Sequence, residues 1–76
     1  MPKVVLVTGA SSGLGQSVAE YLATKDYAVY GTSRQPKKLE NNGVRFKSLD
    51  VRYADSIKQC IESVISDEGR IDILIN

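Results

Sequence analysis

Near its start the chain runs through KVVLV, residues 3–7, and then turns abruptly into TGASSGLGQS, residues 8–17. The first stretch is apolar on successive positions, as a strand buried on both faces must be. The second holds Gly9, Gly13 and Gly15 among hydroxyl residues and carries no charge. Leu14, Val18, Leu22 and Ala23 then recur at helical spacing, so residues 14–25 read as an amphipathic helix. A glycine-rich turn between a buried strand and a helix suits the close approach of an anion. The helix N-terminus offers unpaired N–H groups and the positive end of its dipole, so no basic residue is needed. Gly9 can take the tight turn, Gly13 leaves room for a pyrophosphate, and Gly15 lets the helix lie against the strand. Ser11 and Ser12 can donate to phosphate or ribose oxygens, and Leu14 opens the helix.

The rest of the chain repeats the alternation of strand and helix. Tyr27–Thr32 (YAVYGT) reads as a second strand, weakened a little by Gly31. In SRQPKKLENNG, Pro36 can open a short helix and Gly43 can end it, with Leu39 as its one apolar anchor. Val44–Leu49 is a third strand, residues 54–68 a second long helix ending at Gly69, and IDILIN a fourth strand. Ile57, Ile61, Val64 and Ile65 form that helix's stripe, with Cys60 near its edge as an inert, partly buried thiol. Tyr53 stands where a capping side chain is usual, which predicts a frayed helix start. Glu20, Asp26, Glu40, Glu62, Asp67 and Glu68 read as solvated surface. Alternation of this kind argues for a parallel sheet with helices on its faces. With right-handed crossovers, a strand order of 3-2-1-4 puts the two long helices on opposite faces. The fold class is α/β, the N-terminal half of a Rossmann-type doubly wound parallel sheet.

Other readings of the glycine stretch fare worse. An ATPase-type phosphate loop needs a lysine where Gln16 stands. GASSG matches a hydrolase elbow with Ser11 as nucleophile, but the chain contains no histidine to act as base. A turn without a ligand leaves the backbone entropy of three glycines unexplained.

Composition sets the outer bounds. Seventy-six residues, 42% apolar and 25% charged, make one small domain, 1–76. A net charge of +1 supplies no field for nucleic acid or an acidic membrane surface. Cys60 is the one cysteine, so no disulfide forms within the chain, and no metal-ligand spacing is present. This points to a reducing, cytoplasmic setting. No secretory leader or membrane span is legible.

TGASSGLG resembles the cofactor loop, T-G-x-x-x-G-x-G, of the short-chain dehydrogenase/reductase family. YAVYGTSR is similar to that family's second strand and cofactor-selecting turn, LDV (residues 49–51) to its aspartate-apolar pair, and IDILIN to the strand entering its N-N-A-G motif. The resemblance implies a nicotinamide dinucleotide cofactor and hydride transfer between the nicotinamide and a carbonyl or alcohol. It implies that Asp50 accepts from the adenine amino group and that the Val51 backbone touches the ring. By itself Asp50 also reads as a capping or turn aspartate. Ser33 stands where an NAD-selecting acid is expected and Arg34 follows, with Lys37 and Lys38 beyond, so the charge logic favours NADP(H) over NAD(H). The family's catalytic serine and Y-x-x-x-K motif have no counterpart. Tyr21 alone has a lysine four positions on, Lys25, and YLATK in the first helix reads as coincidence. The implied whole is an oxidoreductase of which this chain is an N-terminal cofactor-binding part, inactive alone, whose full length assembles with copies of itself. The alternative is a non-catalytic dinucleotide-binding or sensor module of the same fold.

Overall fold

The computed structural model describes residues 2–76. Strand β1 (Lys3–Val7) leads through the glycine loop into helix α1 (Gly13–Ala23) and strand β2 (Tyr27–Ser33). A short strand β3 (Glu40–Asn41) turns directly into β4 (Val44–Ser48), which is followed by helix α2 (Ala54–Glu68) and β5 (Ile73–Ile75). The sheet order is β3-β4-β2-β1-β5. β1 pairs in parallel with β2 and β5, and β2 pairs in parallel with β4.

The continuous apolar run of β1 is explained by its two faces. Val5 and Val7 pack with Ala19 of α1, Val29 and Val44. Val4 and Leu6 point the other way, to Tyr30 and to Val64 of α2. Successive side chains alternate across a strand, so a central strand covered by a helix on each face has no position left for a polar residue.

One element departs from expectation. The stretch from Pro36 to Gly43 forms no helix but feeds an antiparallel hairpin, Glu40 opposite Arg45 and Asn41 opposite Val44. Asn42 and Gly43 have φ of 51° and 81°. Positive φ at both central residues is the mark of a primed two-residue turn, whose twist matches the strands it joins. The Glu40 carboxylate accepts from the Gly43 amide at 2.9 Å. Leu39, the supposed anchor, is 81% exposed, so no apolar contact favours the helix. The sheet is therefore mixed at this edge.

Several carboxylates expected to be mere solvated surface instead hold elements together. Glu20 of α1 accepts from Gln16 and from Asn42 of the hairpin turn, each at 3.1 Å. The buried Tyr30 donates its hydroxyl to Glu68 at 2.7 Å and accepts from Arg45 at 3.1 Å. Lys47 pairs with Asp67 at 2.7 Å, so two ion pairs fasten the end of α2 to β4. At the opposite edge the Asp72 carboxylate accepts from the Val4 amide at 2.7 Å and pairs with Arg70.

The stripe on α2 divides. Val64 and Cys60 are buried, whereas Ile57, Ile61 and Ile65 are each about 40% exposed. Leu74 of β5, which is an edge strand as expected, is also exposed. Burial pushes the Cys60 thiol pKa up, which keeps it protonated and unreactive. Tyr53 makes no side-chain cap; Ser56 in the first turn accepts from the Asp50 amide at 2.8 Å instead. No described helix is long and apolar enough to cross a membrane.

Gly31 sits in β2 because a side chain there has no room. A Cβ would lie 2.7 Å from that of Ala10 and 3.1 Å from Phe46 and Val44. Gly31→Ala is expected to cost about 1–3 kcal/mol by overpacking, read as a lower urea midpoint. A second expectation concerns acid. The Lys47 ammonium holds Asp67 below its usual value, and the Val4 amide, followed by Arg70, does the same for Asp72. A carboxylate whose pKa is depressed on folding adds stability above its unfolded value, near pH 3.9, and loses it as pH falls through the lower folded value. The urea midpoint should hold steady between about pH 7 and 5 and decline below about pH 4. Asp72→Asn should make that acid limb shallower.

Candidate functional site

The C-terminal ends of β1, β2 and β4 open together on one edge of the sheet. The crevice outside the strand ends is where open α/β sheets bind ligands. A cleft of about 940 Å³ lies there. Thr8, Gly9 and Ser11 form one wall, Ser33 and Arg34 the second, and the segment from Leu49 to Arg52 the third. Six candidate residues thus meet in one place: Gly9, Ser11, Ser33, Arg34, Asp50 and Val51. A second cavity of about 410 Å³ shares Ser11 and Ser33 with it and reaches Lys37 and Lys38. Ser12, Gly13, Leu14 and Gly15 line neither; they form the start of α1 beside the loop.

The loop's shape comes from three local constraints. Gly9 and Gly13 have φ of 67° and 61°, the left-handed region that favours glycine. A Cβ on Gly15 would be driven into the Gly9 carbonyl oxygen, so a side chain there would push α1 off the loop. The third constraint is Thr32, which is 2% exposed. Its Oγ1 accepts from the Gly9 amide and its carbonyl from the Ala10 amide, both at 3.1 Å. Sequence reading placed Thr32 in a strand and gave it no part in the loop. The available signal was a threonine directly after the run AVYG, at the end of a strand next to the loop. Thr8 ties the loop to the other neighbour, its amide donating to the Ile75 carbonyl at 2.9 Å.

With Gly9 and Ala10 satisfied internally, the loop's free donors lie further on. Ser12 is the extended N-cap of α1, and its side chain caps nothing. The first helical amide with a backbone acceptor is that of Gln16, 3.3 Å from the Ser12 carbonyl. Among the described residues none accepts from the amides of Gly13, Leu14 and Gly15. No acidic residue lies in the first turn to compete for that end of the dipole. No Cβ-sized obstacle stands over Gly13. The arrangement could hold an anion such as a pyrophosphate.

Across the cleft the Asp50 carboxylate is already engaged. Arg52 donates to it through its backbone amide at 3.1 Å, through Nε at 2.9 Å and through Nη2 at 2.7 Å. This fork, with the more distant Arg34 charge, pulls the Asp50 pKa down to about 2. Arg52 was not anticipated as part of the site. The aspartate-turn bond from its amide is a common habit of Asp two residues before a turn N–H and was the one available signal. Tyr21 and Lys25 lie toward the C-terminal end of α1, the ammonium 5.1 Å from the ring centroid, and neither lines the cleft.

Comparison with known proteins agrees with this geometry. A family model described as short chain dehydrogenase matches residues 3–76. The chain is 47% identical over 76 residues to a 3-ketodihydrosphingosine reductase of Bacteroides thetaiotaomicron, aligning 99% of itself with 28% of that protein. It is 39% identical to a 3-oxoacyl-acyl-carrier-protein reductase of Buchnera aphidicola, with 97% of this chain and 33% of the relative covered. Among solved structures, an aldohexose dehydrogenase of Thermoplasma acidophilum superposes with a TM-score of 0.87 at 31% identity, covering 97% of this chain and 31% of that one. A metagenomic short-chain oxidoreductase in complex with NADP gives 0.86 at 30% identity, covering 95% and 37%. The chain thus spans about a third or less of the curated relatives named here. The glycine loop, the strand order and the match over residues 3–76 place it in the short-chain dehydrogenase family.

Proposed function

We propose that this chain is the cofactor-binding part of an NADP(H)-preferring oxidoreductase. The bound nicotinamide would supply hydride transfer to or from a carbonyl or alcohol. The observation that carries the reading is the charge at the end of β2. Ser33 and Arg34 line the cleft there, Lys37 and Lys38 line the adjoining cavity, and neither β2 nor its exit contributes an acid. An acid at this point would hold a ribose 2′-hydroxyl and repel a 2′-phosphate; a guanidinium forks onto the phosphate.

In this reading each group has one task. The free amides of Gly13, Leu14 and Gly15 hold the pyrophosphate, with Ser11 and Ser12 as further donors. Asp50 accepts from the adenine amino group and Val51 covers the ring. Ser33 and Arg34 take the 2′-phosphate. The tyrosine, lysine and serine of the hydride-transfer step come from outside these residues, and the task of these residues is to bind and orient. The NADP in one similar solved structure supports the cofactor class. The buried, unreactive Cys60 suits a cytoplasmic setting.

The test is the affinity of the intact protein for NADPH and NADH, with and without Arg34. A charge-assisted hydrogen bond contributes about 1.5–3 kcal/mol, or about ten- to a hundredfold in affinity. Arg34→Ala should weaken NADPH binding by that factor and NADH binding by less than about threefold. Equal losses for the two would contradict the assignment.

A further inference from the structure

Arg52 sits at the cleft mouth between two partners. Its guanidinium carbon is 5.5 Å from the centroid of the Tyr53 ring. Two of its nitrogens grip both oxygens of Asp50, and its own amide adds a third bond. The Arg52 side chain is 64% exposed and the Asp50 side chain 21%. Exposed ion pairs held by one bond contribute little, but a bidentate fork fixes the orientation of a carboxylate. Tyr53 makes no helix cap, and its ring instead flanks the guanidinium, a cation–π arrangement.

The acceptor count then matters. An ionised carboxylate has about four lone-pair sites, two on each oxygen. Oδ1 of Asp50 receives the Arg52 amide and Nε; Oδ2 receives Nη2 alone. One site on Oδ2 remains. The Arg52 grip thus leaves Asp50 able to accept from a single further donor and, being ionised, unable to donate to one. The Arg52 fork and the more distant Arg34 are the charged groups that act on this carboxylate.

We propose that Arg52, backed by Tyr53, is a positioning residue that fixes the Asp50 carboxylate as a one-donor acceptor and so makes the cleft select a purine bearing an exocyclic amino group over one bearing an oxo group. The inference rests on the dinucleotide reading above and adds to it the residue that sets base selectivity. A 6-oxo purine presents a carbonyl to a fixed, ionised carboxylate and is repelled. An Asp50 carboxylate free to rotate could turn aside and would tolerate it.

The test compares NADPH with its hypoxanthine analogue, which differs by that one group, in the intact protein, alongside an NMR titration of the Asp50 carboxyl without cofactor. The native protein should prefer NADPH by about tenfold or more. It should also keep Asp50 ionised to about pH 2. Arg52→Gln should shrink the preference to about threefold or less, with Asp50 titrating nearer the ordinary value of about 3.9. Arg52→Lys, which keeps the charge and loses the fork, should hold Asp50 acidic yet still lose most of the preference. Arg52 is exposed, so neither variant threatens the fold. Full preference in Arg52→Gln, or tighter NADPH binding in it, would overturn the inference and leave the cofactor reading standing. No preference in the native protein would remove the adenine role of Asp50, and the inference with it. No dinucleotide binding at all would remove the proposed function itself.

Discussion

Thr32 holds the glycine loop at two points, and the candidate site takes its shape from that hold. A loop joining a buried strand to a helix carries amides that must find acceptors or face solvent. Thr32 supplies two acceptors, its side-chain oxygen to Gly9 and its carbonyl to Ala10. The neighbouring backbone is stripped of side chains so that the loop can come this close. Gly31 clears space under Ala10, and Gly15 clears space beside the Gly9 carbonyl. Gly9, Gly15, Gly31 and the buried Thr32 act as a single packing unit. Its effect is to leave the unclaimed amides at the start of α1, where the helix dipole adds to them.

The cleft's electrostatics follow a similar division. Positive charge stands at the end of β2 in Arg34, and the Asp50 carboxylate across the cleft is ion-paired with Arg52. Among the cleft-lining residues the acidic Asp50 is thus paired with a guanidinium. The α2 side of the sheet uses charge for cohesion. Arg45 and Lys47 project from β4 over the ring of Tyr30, 5.9 and 5.6 Å from its centroid, and reach Glu68 and Asp67. That fastening holds the C-terminal end of α2, while Asp50 and Ser56 fix its N-terminal end beside the cleft.

The sheet and its two long helices were legible because each depends on a pattern spread over many residues. The two-faced apolar run of β1 and the helical spacing in α1 and α2 each state one structure repeatedly. The hairpin was not legible because its signal, Asn42-Gly43, competed with a proline and a leucine that suggested a helix; the left-handed turn decided the matter. The glycine loop could be recognised from its spacing. Thr32 could not, since a strand threonine becomes a loop clamp only when the loop is brought beside it. Arg52 was hidden for a similar reason. Asp50 carried the pattern, and the residue that fixes it two positions later looked like ordinary surface. Glu20 and Glu68 looked like plain surface because the partners that tie them to other elements, Asn42 and Tyr30, lie 22 and 38 residues away in the chain.

In the proposed function the start of α1 and the cleft beside it hold a dinucleotide. The most direct measurement is a crystal structure of the intact protein with NADPH. The pyrophosphate should lie against the amides of Gly13, Leu14 and Gly15, and the adenine beside Asp50. A dinucleotide bound elsewhere, or a cleft left empty at saturating NADPH, would contradict it.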